Sequence, residues 1–149
     1  MMKRSQRMQK LVDIETQQSQ HLIGQFKADQ DALKKQQGAM ANLVTYRDEY
    51  ATRFKQTGGS GISAFRYHDF SCFLQKLDEA ITQQREVLKT CEANLNSSRE
   101  AWQVSHRRIE ALQQVTDQSQ SSENAQSRKR IQRGVEERFG RLATTVFSS

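Results

Sequence analysis

Lys55-Gln56-Thr57-Gly58-Gly59-Ser60-Gly61 places three of the chain's seven glycines within seven positions, and how this stretch is read decides the fold. Glycine supplies backbone conformations that end helices and make turns. No comparable cluster occurs elsewhere in the 149 residues, and the chain contains no proline, the residue that most reliably breaks a helix. The chain is therefore expected to fold back once, here. Arg53 and Lys55 suit the negative end of a preceding helix. Gly58 can take the left-handed position after that helix, and Ser60 or Ser63 can cap the next one.

Outward from the loop, each arm carries one narrow apolar stripe. Alternate steps of four and three from Met8 give Met8, Val12, Glu15, Ser19, Leu22, Phe26, Asp29, Leu33, Gln36, Met40, Leu43, Arg47, Tyr50 and Phe54, nine of fourteen apolar. The same stepping from Phe70 gives Phe70, Leu74, Leu77, Ile81, Gln84, Leu88, Cys91, Leu95, Ser98, Trp102, Ser105, Ile109, Leu112 and Thr116, ten of fourteen apolar. Only 35% of the whole chain is apolar, so the enrichment marks a coiled-coil seam in each arm. A stripe this narrow needs a partner stripe, and a short loop between arms of similar length supplies it. The expected fold is all-α, a long antiparallel two-helix coiled coil, with helix 1 over about 3–56, a loop at 57–61 and helix 2 over about 62–117. At 1.5 Å per residue, such arms form a rod on the order of 80 Å long. Gly24 and Gly38, each costing about 1 kcal/mol relative to alanine, and the polar seam residues Glu15, Ser19, Asp29 and Gln36 make the end away from the loop the weaker one.

Asp117 to Asn124 contains no apolar residue, which suggests a weak point. Helical spacing resumes at Ile131, Val135, Phe139, Leu142 and Val146, so residues 118–149 read as a basic amphipathic extension, partly flexible. The net charge of +6 lies at the ends of the chain. Residues 1–10 hold Lys3, Arg4, Arg7 and Lys10 without an acid, and residues 128–149 hold six arginines and lysines against Glu136 and Glu137. The remaining 117 residues carry 13 bases and 15 acids. Folding at the glycines brings the two basic segments to one pole, where a charge run that would otherwise be only a solvated face gains the strength to hold an acidic partner.

Chemistry finds little support. Gly58-Gly59-Ser60-Gly61 lacks the Gly-Lys-Ser/Thr ending of a phosphate loop, and His21, His68 and His106 are dispersed, without metal-ligand pairing. Cys72 and Cys91, 19 positions apart, read as reduced thiols. No catalytic residue, cofactor or metal is expected, and a two-helix rod has no concave pocket to exclude water. No apolar run reaches the roughly 20 residues of a membrane span, so a soluble, cytoplasmic protein is expected. Nucleic-acid binding is a rival, given an isoelectric point near 9.6, but the bases are confined to the ends and no basic region runs into a clean zipper.

Near the loop the apolar residues exceed what a two-helix seam needs. Leu43, Tyr46 and Tyr50 on one arm and Phe73, Leu77 and Ala80 on the other make an aromatic patch, either a thicker core under the loop or a partner-docking face.

These same residues carry a resemblance. Leu43-Val44-Thr45-Tyr46-Arg47-Asp48-Glu49-Tyr50, then Gly58 to Gly61 and Ile62, then Phe73-Leu74-Gln75-Lys76-Leu77-Asp78-Glu79-Ala80-Ile81 and Trp102 resemble the FliJ family of flagellar export proteins. The likeness is strongest from about residue 40 to 115. It implies a coiled coil similar to the central stalk of a rotary ATPase, at the cytoplasmic face of the inner membrane. It also implies that the termini, with Lys3, Arg4, Arg7, Lys10, Arg128, Lys129, Arg130 and Arg133, engage the hexameric flagellar export ATPase. Leu43, Tyr46, Tyr50, Phe73, Leu77 and Ala80 would contact the cytoplasmic region of the membrane export gate, and empty export chaperones would be further partners. A stalk of a virulence type III secretion system and a generic coiled-coil tether are the alternatives of similar architecture.

Overall fold

The computed structural model describes residues 2–58, 61 and 63–147. Its two elements are α1 (Arg4–Gly58) and α2 (Ala64–Phe147), packed against each other as an antiparallel hairpin. All 28 seam positions stepped out above are buried or half-buried. The three-four alternation alone thus picks out the faces that meet.

The boundaries depart from the expected ones in detail. α1 runs through Gly58, which shows no left-handed backbone; Gly61 takes that conformation instead, at φ 80°. Gly59 and Ser60, both expected in the loop, lie outside the described residues. Ser63 is the cap of α2: its carbonyl accepts from the Tyr67 amide at 3.1 Å and its Oγ from the Arg66 amide at 3.3 Å. The larger departure is at the other end, where α2 continues past 117 without a break to Phe147. Asp117 to Asn124 lacks apolar residues but also lacks glycine and proline, so nothing removes the backbone hydrogen bonds that propagate the helix.

The chain divides into two compact units. One comprises Gln20–Gln103 and contains the buried apolar residues Leu77, Ile81 and Leu95. Its cross-helix pairs run in opposite directions along the chain: Phe26 stacks on Trp102 with centroids 6.4 Å apart, Gln36 meets Gln84, and Phe54 meets Tyr67. The Gln84 side-chain amide donates to the Gln36 Oε1 at 2.8 Å and to the Gln36 carbonyl at 3.0 Å, which satisfies a polar layer within an otherwise apolar stripe.

The other unit comprises Met1–Ser19 and Val104–Ser149. Val12 is its one buried apolar residue among those described, beside the buried Ser5, Ser105 and Thr116. Small polar seam residues bury little apolar area, so this stretch of the seam gains less from hydrophobic burial. Ion pairing contributes instead, through Arg108 and Glu15 at 3.6 Å.

Candidate functional site

Two surfaces, one in each unit, bear the residues singled out from the sequence. In the Gln20–Gln103 unit, six rings form a continuous ladder across the two helices. Tyr46 meets Phe73 edge-on at 6.2 Å, and Phe73 lies 4.5 Å from Tyr50. Tyr50 contacts Phe70 at 5.1 Å, Phe70 contacts Phe54 at 5.1 Å, and Phe54 reaches Tyr67 at 5.2 Å. The ladder arises because Tyr46, Tyr50 and Phe54 repeat every four residues on α1 while Tyr67, Phe70 and Phe73 repeat every three on α2. Tilted and edge-on contacts are the favourable geometries for ring quadrupoles.

The structure sorts the expected patch by depth. Leu77 is buried in the seam; Leu43, Tyr50, Phe73 and Ala80 are half-buried; Tyr46 is 49% exposed. The exposed Tyr67, at 58%, joins it through Phe54, while Phe65, 76% exposed, stands on α2 beside the loop. Tyr67 carried a signal, since it lies one further step of three before Phe70, whereas Phe65 lies off the seam on any stepping. Next to the ladder, the Arg47 Nε donates to Asp78 Oδ1 at 2.6 Å across the two helices. Asp78, through this hydrogen bond and its charge, raises the Arg47 pKa above its ordinary value, with Asp48 at 3.7 Å adding to the effect. The pair links the two helices beside Tyr46, at the end of the ladder away from the loop.

In the second unit, Lys3, Arg4, Arg7, Lys10, Arg128, Lys129, Arg130 and Arg133 are all exposed. The start of α1 is electrostatically awkward, with bases and no acid in its first turn, at the end of the helix dipole that prefers an anion. Glu123 of α2 supplies that anion. Its Oε2 accepts from Ser5 Oγ at 2.6 Å and its Oε1 from the Ser5 amide at 3.2 Å, while Gln6 returns its side chain to the Lys3 amide at 3.2 Å. The Ser5 hydroxyl and then its amide, helped by the charge of Lys3, hold the Glu123 carboxyl below its ordinary pKa.

Among the described residues, no group of three or more His, Cys, Asp and Glu is placed to hold a metal, and no helix is long and apolar enough to cross a membrane. His68 and Cys72 are near one another, Sγ to Nε2 3.5 Å, as neighbours one turn apart on an exposed face. The indentations along α2, such as that lined by Glu110, Ala111, Gln114 and Asp117, are open to solvent.

Comparison with known proteins agrees with the geometry. The family model described as "Flagellar FliJ protein" matches residues 3–143. The chain is 22% identical over 112 residues to a Flagellar FliJ protein of Escherichia coli (strain K12), covering 75% of this chain and 74% of that one. It is 23% identical over 125 residues to a Flagellar FliJ protein of Salmonella typhi, covering 81% and 83% respectively. No solved structure matches the chain. A seam of the expected register, an aromatic ladder beside the loop and a family match over nearly the whole length lead to one conclusion: this chain belongs to the FliJ family of flagellar proteins.

Proposed function

We propose that this chain is a non-catalytic stalk and adaptor of the flagellar type III export apparatus, with one surface for the export ATPase ring and another for the export gate. The observation that carries this reading is segregation. Aromatic rings beyond the needs of a seam lie in one unit, and bases that work against the dipole of their own helix lie in the other. The rings exceed what the seam needs, the bases oppose the dipole at the start of α1, and each surface suits a partner of different chemistry. Lys3, Arg4, Arg7, Lys10, Arg128, Lys129, Arg130 and Arg133 would meet acidic surface on the ATPase. Leu43, Tyr46, Tyr50, Phe73 and Ala80 would meet an apolar face of the gate's cytoplasmic region, with Leu77 supporting them from the seam. Binding of empty export chaperones is a further role under this reading. Such a protein works at the cytoplasmic face of the inner membrane, held there by its partners.

Adding the purified protein to the purified export ATPase is expected to raise its hydrolysis rate. Replacing Arg128, Lys129, Arg130 and Arg133 with glutamate should lower that stimulation, and stimulation unchanged by the four reversals would sink the ATPase assignment. A virulence-type stalk is disfavoured because both relatives are flagellar. Nucleic-acid binding is disfavoured by the near balance of 11 bases and 10 acids over Gln20–Gln103.

A further inference from the structure

α2 outruns α1. Ser5 already faces Glu123, and α2 continues from there to Phe147, about 36 Å of helix at 1.5 Å per residue. The apolar residues on this stretch are exposed: Ile131 at 68%, Val135 at 45%, Phe139 at 69% and Leu142 at 61%. They do not continue the hairpin seam. At about 100° per residue, Leu112, Thr116, Ser119 and Glu123 point within a sector of about 60°, whereas Ile131, Val135, Phe139 and Leu142 point within one of about 80°, centred roughly 125° away. The stripe is a second, independent face of the helix.

On one side of that face Arg138 lies about 55° from the centre and Arg141 about 115°; on the other, Gln132 lies at about 65° and Glu136 at about 105°, with Lys129 beyond them at about 125°. Residues 128–149 hold six bases and two acids, which opposes pairing with the same segment of a second copy. An apolar stripe flanked on one side by Arg138 and Arg141, in a segment of six bases and two acids on a helix of low overall hydrophobicity, matches the surface of an anionic bilayer. The stripe sits among acyl chains while arginines extend to the phosphates. A fluid surface requires no shape match, and this stripe of branched and aromatic side chains contains no polar residue that would fix a register.

We propose that residues 128–147 bind anionic phospholipid bilayers, burying Ile131, Val135, Phe139 and Leu142 and pairing Arg138 and Arg141 with lipid phosphates. The proposal does not rest on the adaptor reading, although four bases, Arg128, Lys129, Arg130 and Arg133, enter both.

The test is co-sedimentation of the full-length protein with vesicles of phosphatidylcholine alone and of phosphatidylcholine mixed with phosphatidylglycerol. Wild type should partition at least about tenfold better onto the mixed vesicles, and less so at high salt. A Phe139→Asp, Leu142→Asp double variant should lose about tenfold or more of that binding. An Arg138→Gln, Arg141→Gln variant, which leaves the stripe and the helix intact, should lose the preference for phosphatidylglycerol. Equal binding to both vesicles, or wild-type binding by the Asp double variant, overturns the proposal. So does an apolar stripe needed for ATPase stimulation in a protein that pellets with neither vesicle, because its occupant is then a protein groove. Conversely, normal pelleting by a protein that fails to stimulate the ATPase supports the lipid surface and counts only against the adaptor reading.

Discussion

Glu123 caps α1 from across the hairpin, its carboxylate accepting from both the hydroxyl of Ser5, at 2.6 Å, and the amide of Ser5, at 3.2 Å. The acid stands 118 positions away from the helix terminus it serves. Without it, a helix start bearing only bases would face its own dipole.

This clip makes the start of α1 sensitive to acid. The Glu123 pKa is lowered in the folded state, first by the Ser5 hydroxyl and then by the Ser5 amide. Its stabilising contribution is therefore present at neutral pH, above the unfolded carboxyl pKa, and is lost as pH falls through the lower folded value. Amide exchange at Ser5 should accelerate in that acid range relative to the rest of α1, and Glu123→Gln should give the same fraying at pH 7. Ser5 protection that is equal in wild type and the glutamine variant at pH 7 would disprove the clip.

Truncation near the loop should cost stability according to depth. Leu77, 8% exposed, is seam, and Leu77→Ala should cost about 2–5 kcal/mol in urea unfolding. Phe65, 76% exposed, should tolerate alanine within about 0.5 kcal/mol. A large stability loss at Phe65 would show that the ring is structural.

Tyr50 and Phe73, with centroids 4.5 Å apart, should couple by about 1 kcal/mol in a double-mutant cycle. The double alanine variant should keep most of its helical circular dichroism, yet swim poorly on soft agar and bind the gate weakly. Full motility would remove the ring ladder from the docking assignment.

Gln36 and Gln84 form a satisfied polar pair at 2.8 Å in a half-buried layer. Gln84→Leu leaves the Gln36 side chain without its partner and should destabilise by about 1–3 kcal/mol; Gln36→Leu, which leaves the Gln84 amide its bond to the residue-36 carbonyl, should cost less, and the double change should return stability to near the starting value or above. Chemical denaturation of the four proteins decides this, and additive effects of the two single changes would contradict the pairing.

The seam was legible because period and partner are both local properties: from Met8 to Phe54 and from Phe70 to Thr116, spacing alone marks the residues that become buried. The extent of α2 was not. Asp117 to Asn124 reads as a gap when apolar content is the signal, but a helix persists wherever nothing breaks its hydrogen bonds. The Ser5–Glu123 clip could not be read from spacing, since it depends on register summed over both arms. Tyr67 could have been found by one more step of the same rule, while Phe65 follows no rule and emerges only from its exposure. The positions of the bases were legible as charge runs, but the dipole conflict they create at the start of α1 needed the helix boundary itself.

The overhang of α2 beyond Glu123 has a practical consequence for handling this protein. Arg128, Lys129, Arg130 and Arg133 lie exposed on a helix with no second strand over it, so trypsin meets its preferred residues where local opening is easiest. Brief digestion should clip off the tail and leave the seam residues from Met8 to Thr116 intact. The chain thus carries a detachable handle, and a preparation that has lost it would keep every spectroscopic mark of a folded hairpin while missing the segment richest in positive charge.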